Sequence, residues 1–129
     1  MPQLKKRGKW VFGWVIVDAN CSVVIPPEAC TEYGFRDGDL VIFLHGSRRS
    51  GGFSLSCPER LEQCKVSMQR RSFALGHILS GRQIALPKEV NLQPGSRLLV
   101  VRGSGLALLF ITQGPIFDEA KNHLEIECF

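Results

Sequence analysis

CSVVIPPE at residues 21–28 and RQIALPKE at residues 82–89 decide how this chain folds, because they read as two copies of one string. Their offset is a constant 61, with Pro26 meeting Pro87 and Glu28 meeting Glu89. Downstream, GDLVIFLHGS at 38–47 lies over GSRLLVVRGS at 95–104 with an offset of 57, so the second copy lacks four residues between the blocks, about one helical turn. The same two offsets match Phe12 with Phe73, Phe53 with Phe110, Pro58 with Pro115 and Glu62 with Glu119. Self-similarity held in one register is the mark of a repeated structural unit. We read repeat 1 as residues 10–65 and repeat 2 as residues 71–124 with a helical tail, both inside a single domain, 1–129.

Each copy carries the same local signals. An apolar run (11–17; 73–79) meets a turn at Asp18-Ala19-Asn20 or Ser80-Gly81, and a second strand then ends at the proline. Proline is tolerated in the first helical turn, where its missing N–H would have no partner, so 26–33 reads as a short helix closed by Gly34. In the second copy 87–90 leaves room for barely one turn. Turns at Asp37-Gly38 and Pro94-Gly95 launch the runs 40–44 and 98–101, which are continuously apolar, as in strands covered on both faces. Return strands follow at 53–55 and 106–111, then proline-initiated helices at 58–65 and 115–124. Phe53 and Phe110 are expected in the core, and Trp10 and Trp14, four apart on a strand, on one core-facing side.

A hairpin with one short helix cannot build a dry core alone. Two copies interleaved about a pseudo-two-fold axis can, while pairing strand edges that would otherwise invite aggregation. The expected class is therefore mainly β with short helices.

Composition narrows the function. At 129 residues and 44% hydrophobic content the chain can bury one core. No apolar stretch approaches the roughly 20 residues of a membrane span. Lys5, Lys6, Arg7 and Lys9 ahead of an apolar run imitate a signal peptide, but the run is short, Asp18 closes it and no small-residue cleavage site follows. Five cysteines without a dense framework fit reduced thiols, so the expected location is the cytoplasm. Cys57 and Cys64 are seven apart rather than in a zinc spacing, and neither a metal nor a cofactor is expected. GSRRSGG lacks the spaced Gly-Lys-Ser/Thr of a phosphate loop, and His45, His77 and His123 stand singly, so no enzyme is expected.

The string VDANCSVVIPPEACTEYGFRDGDLVIFL, with its Ile-Pro, Tyr33-Gly34-Phe35 and Gly38-Asp39 twelve residues past the proline, resembles the AbrB, MazE and SpoVT superfamily. The second copy keeps ALPKEV and the Pro-Gly turn but drops the helix exit. The resemblance implies a swapped-hairpin β-barrel, and because members of this family mostly form homodimers of one motif per chain, two motifs in one chain imply an intramolecular pseudo-dimer. It also implies bacterial or archaeal DNA binding, as a transcription regulator or as the antitoxin of a toxin–antitoxin pair. Carried over by position, the resemblance is weaker in repeat 1, which offers Pro27, Glu28 and Glu32 after its proline, where repeat 2 offers Lys88.

Charge is unevenly placed within the net +4. Residues 10–46 sum to −4, 47–71 to +4, 72–104 to +3 and 105–129 to −3. The candidate DNA-binding residues are Lys5, Lys6, Arg7 and Lys9 before repeat 1, Arg70 and Arg71 before repeat 2, Arg48 and Arg49 at a hairpin tip, and Arg82 and Lys88 near the second proline. Double-stranded DNA is the expected partner. The alternative is a protein-interaction module, an antitoxin or assembly adaptor, whose tail, with Leu124, Ile126 and Phe129, docks on a toxin or makes a homodimer. A third reading is a small-ligand sensor at the barrel mouth.

Overall fold

Strands pair across the two copies. A computed structural model describes residues 10–63, 66–103 and 107–129. Its strands are β1 Val11–Ile16, β2 Ser22–Val24, β3 Leu40–His45, β4 Phe53–Ser56, β5 Ser72–His77, β6 Gln83–Ala85, β7 Arg97–Arg102 and β8 Leu108–Ile111. Six of them form one antiparallel sheet in the order β1-β7-β8-β4-β3-β5, and β2 and β6 form a separate two-stranded ribbon. The protein is mainly β, and neither sheet closes on itself.

That order is the same read from either end once copy is exchanged for copy. β1 pairs with β7 through Val11↔Val101, Gly13↔Val100, Trp14↔Leu99, Val15↔Leu98 and Ile16↔Arg97. Adding 61 to each β1 residue and subtracting 57 from its partner gives Ser72↔Leu44, Ala74↔Phe43, Leu75↔Ile42, Gly76↔Val41 and His77↔Leu40, the register of β5 on β3, bulge included. In the ribbon Val23 faces its counterpart Ile84, and on the central pair Phe53 faces its counterpart Phe110. The two phenyl rings stack with centroids 4.7 Å apart and planes 11° apart. A local two-fold axis passes through both contacts.

Backbone exceptions repeat as well. Cys21 and its counterpart Arg82 both sit in the left-handed region, as do Gly34 and its counterpart Asn91. Helix α1, Pro27–Tyr33, ends on the left-handed Gly34. The corresponding piece of repeat 2 is a three-residue 3-10 turn, Lys88–Val90, so the four missing residues are one turn of helix.

β3 and β7 are buried on both faces. Val41, Phe43, Leu98 and Val100 join Phe53, Phe110, Ile25, Ile84 and the α1 side chains in the main core. On the outer face, Ile42 and Leu44 pack with Leu61 of α2 (Pro58–Glu62), while Leu99 and Val101 pack with Trp14, Ile111, Ala120 and Ile126. A further helical turn, α3, spans Val66–Gln69. Among the described residues no helix is long and apolar enough to cross a membrane.

Two sequence expectations are corrected here. Trp10 and Trp14 do not share a face: Trp14 is 5% exposed and Trp10 39%. A bulge between Val11 and Gly13 breaks the two-residue alternation between them and turns Phe12 into the core, as its twin places Phe73 against the same core. The last helix, α4, is also shorter than 115–124 and spans Pro115–Ala120.

Beyond α4 the chain returns to its own sheet. The Trp14 N–H donates to the Glu127 carbonyl and the Phe129 N–H to the Trp14 carbonyl, each at 2.8 Å, which adds the tail to β1 as a short parallel strand. Gly13 is required for this approach, since a Cβ there would overlap the Phe129 ring and the Glu127 carbonyl. Leu124 stays exposed, but Ile126 is buried in cis.

His123 ties this return together. Its Nδ1 lies 2.9 Å from Glu125 and its Nε2 3.2 Å from Glu119 of α4. The hydrogen bond to Glu125, then that to Glu119, raises the imidazole pKa. A pKa raised on folding contributes stability that is whole below the unfolded-state value and is lost as pH rises through the folded-state value. We therefore expect the Trp14 and Phe129 amides to exchange faster as pH rises through that value, after correction for intrinsic exchange. His123→Ala should remove this step, and a step unchanged in the variant would refute the latch.

Candidate nucleic-acid interface

The β3–β4 hairpin tip, residues 46–52, is pinned from below and bare above. The Gly51 N–H donates to the Ser47 carbonyl at 2.9 Å, and Ser47 Oγ lies 2.7 Å from Ser50 Oγ. From the other repeat, the Thr112 and Gln113 N–H groups donate to the Ser50 carbonyl at 3.0 and 3.1 Å, and Gln113 Nε2 donates to the Arg48 carbonyl at 3.0 Å. Gly52 has a φ of 66°, and a Cβ on it would overlap the Phe110 carbonyl. With its backbone carbonyls held inward, the tip leaves Arg48 and Arg49 exposed.

Arg71 belongs to the same end of the sheet. The His45 N–H donates to the Arg71 carbonyl at 2.9 Å, and Arg71, His45, Ser47 and Ser50 share the wall of one cleft. Arg70 precedes it, its N–H bonded to the Val66 carbonyl at the close of α3. All four arginines are exposed, and among the described residues none of their guanidinium groups is paired with a carboxylate. Unpaired guanidinium groups on one rim are available to phosphate oxygens, which they bind as charge-assisted forks.

The twin hairpin at the opposite end is built differently. There α1 of repeat 1 packs against Arg102, Gly103 and Ala107 of repeat 2. Glu32 takes Arg102 in a two-pronged ion pair, with Nε to Oε2 at 2.6 Å and Nη2 to Oε1. Tyr33 donates its hydroxyl proton to the Ala107 carbonyl at 3.0 Å and accepts the Gly103 N–H at 3.2 Å. Burial pushes the Tyr33 phenol up, so this hydroxyl keeps its proton. By the two-fold relation the 3-10 turn of repeat 2 would cover the 46–52 tip, but the missing four residues are those that would carry the equivalents of Glu32 and Tyr33. Among the described residues no hydrogen bond or ion pair joins that turn to the tip. The deletion thus removes the helical cover from one hairpin, while the helix of repeat 1 packs on the other and pairs with its Arg102.

Of the ten candidates named from sequence, Arg48, Arg49, Arg70 and Arg71 come together. Arg82 does not: it lies beyond the far end of β5, its N–H 3.4 Å from Asp37 Oδ1 and its Nε donating to the Ile25 carbonyl at 3.3 Å. Lys88 is exposed in the 3-10 turn after β6, and among the described residues it makes no hydrogen bond or ion pair to the tip. Lys5, Lys6, Arg7 and Lys9 lie outside the described residues. A cavity of about 320 Å³ beside the tip has an apolar floor of Val101, Leu109, Ile111 and Ile116 with Arg49 and Gln113 at its rim. Sequence reasoning did not find the cavity, because its walls come from both repeats. No family model matches the chain, and no curated protein matches it.

Proposed function

We propose that this chain is a non-enzymatic DNA-binding regulator, a fused pseudo-dimer of the AbrB, MazE and SpoVT kind that contacts the duplex with one end only. The observation carrying this reading is the group of Arg48 and Arg49, on a hairpin whose covering helix is shortened, with Arg70 and Arg71 before β5 at the same end of the sheet, all exposed and without a carboxylate partner among the described residues. The swapped-hairpin kinship draws support from β1 pairing with the other copy's β7, and β5 with the other copy's β3, in matching register. Phosphate contacts release counterions, at about 0.9 unit of log K per contact against log salt, so four arginines give a slope of about −3 to −4.

Fluorescence titration of a labelled duplex at several salt concentrations tests this. Affinity should fall on the order of a hundredfold from 50 to 200 mM salt. Absence of binding at the lowest salt overturns the reading. The competing reading, a protein-interaction module, draws on the exposed leucines at positions 40, 75 and 79. It predicts a stoichiometric protein partner and a duplex affinity indifferent to the four arginines.

A further inference from the structure

We propose that β5 is the docking edge for a second copy of this chain, the two β5 strands meeting antiparallel about a two-fold axis. β5 has its twin in β1. Both are end strands of the sheet, in the same register on their inner neighbours. At β1 the N–H and C=O of Trp14 point away from β7, and the tail takes both. Leu75 holds the equivalent place, so alternation along the antiparallel ladder turns its N–H and C=O away from β3. Among the described residues no strand pairs with that side of Leu75.

Side chains tell the same story. Trp14 is buried by α4 and the tail, whereas Leu75 is 66% exposed. Its neighbours Leu40 and Leu79 are exposed too, yet their counterparts in the other repeat are Arg97, whose guanidinium lies 3.9 Å from the Trp14 ring centre, and Asp18. Where the covered edge carries charged neighbours, the uncovered edge carries leucines. An open, apolar edge strand is a template for another strand, and soluble proteins normally blunt such edges with charge, proline or a covering segment. β5 has none of these along 72–77.

Self-complementarity selects the occupant. An antiparallel pair centred on Leu75 sets Leu75 against itself and brings each copy's Arg71 to the other's Leu79, where the ladder stops because the Leu79 N–H already donates to the Gln83 carbonyl. There the neighbouring turn carries Asp37 and Asp39, since Ile78 bonds to Gly38 and Asp39. Arginines therefore meet an acidic turn, whereas a parallel pair would set arginine against arginine. A two-fold interface of this kind is closed and joins the sheets of the two chains. Arg48 and Arg49, at the hairpin tip, stay clear of the joint, whereas Arg71 is drawn into it and leaves the duplex-facing set in the dimer.

Sedimentation velocity over a concentration series tests the proposal. The wild-type chain should sediment as a dimer at high concentration. Leu75→Lys with Leu79→Lys should be monomeric with an unchanged thermal transition, and Leu124→Lys, also on the surface, should remain dimeric. On the wild-type chain alone, protection of the Leu75 amide from hydrogen exchange should rise with protein concentration. This second measurement decides the matter even if the double variant does not fold. A wild-type monomer at every concentration, a dimer that survives the double substitution, or a Leu75 amide whose protection ignores concentration overturns the proposal. None of these readouts involves DNA, so failure here and failure of the DNA reading are separate results.

Discussion

Phe110→Ala should lower the unfolding free energy by about 3–5 kcal/mol, the range for truncating a fully buried aromatic side chain. Phe110 has no exposed surface, and its ring lies flat on that of Phe53 at the place where the two repeats face each other. Neither ring can be relieved by one repeat relaxing, because β4 and β8 pair directly through these two residues. For a domain of ordinary stability, about 5–15 kcal/mol, this is a large share of the total. Urea titration should show the midpoint falling with the slope unchanged, as for loss of stability without loss of two-state behaviour. The Phe53→Ala, Phe110→Ala cycle should show coupling of about 0.5–3 kcal/mol, because each truncation empties part of one shared contact. Phe129→Ala, at the exposed end of the tail, should cost much less. A loss below about 1 kcal/mol for Phe110→Ala would mean that the repeat junction is not the centre of the core.

What could be read from the sequence was what each repeat does by itself, and what could not was what one repeat does to the other. The offsets of 61 and 57, the proline that opens α1, Gly34 at its close and the doubly covered β3 and β7 all follow from local residue patterns. The bulge beside Gly13 does not, because a bulge is set by the strand opposite; it overturned the shared face expected for Trp10 and Trp14. The tail was likewise seen as an apolar segment in search of a partner, and its partner is β1 of the same chain, reached only because Gly13 leaves room for Phe129.

The candidate site follows the same division. Arg48 and Arg49 were visible as a basic hairpin tip, and the four-residue deletion was visible as a gap in the alignment. Nothing local connects the two. The connection appears when α1 is found over the opposite hairpin, with Glu32 on Arg102 and Tyr33 on Gly103 and Ala107, so that its shortened twin leaves the basic tip uncovered. Arg82 and Lys88 drew their candidacy from the second proline motif, yet Arg82 sits at the other end of β5 against Asp37 and Ile25, and Lys88 sits in the shortened turn, unbonded to the tip among the described residues.

From that geometry, Arg48→Glu with Arg49→Glu should abolish measurable duplex binding at moderate salt, while Arg82→Glu with Lys88→Glu should change it only a few-fold. The milder Arg48→Ala with Arg49→Ala should reduce the salt slope by about 2, since each phosphate contact contributes about 1. Stability should barely move in the Arg48 and Arg49 variants, because surface substitutions away from packed features stay within about 0.5 kcal/mol, whereas Arg82→Glu gives up the Nε bond to the Ile25 carbonyl and its binding is compared at a temperature where the variant is folded. The Arg48 carbonyl bonded to Gln113 is a backbone group and survives the change of side chain. The comparison between the pairs is decisive because both remove two positive charges and shift the net charge equally, so a non-specific attraction to the whole molecule would weaken both alike. Equal losses would assign binding to overall charge. A larger loss from Arg82 and Lys88 would move the interface to the ribbon, although Asp37 stands beside Arg82 there.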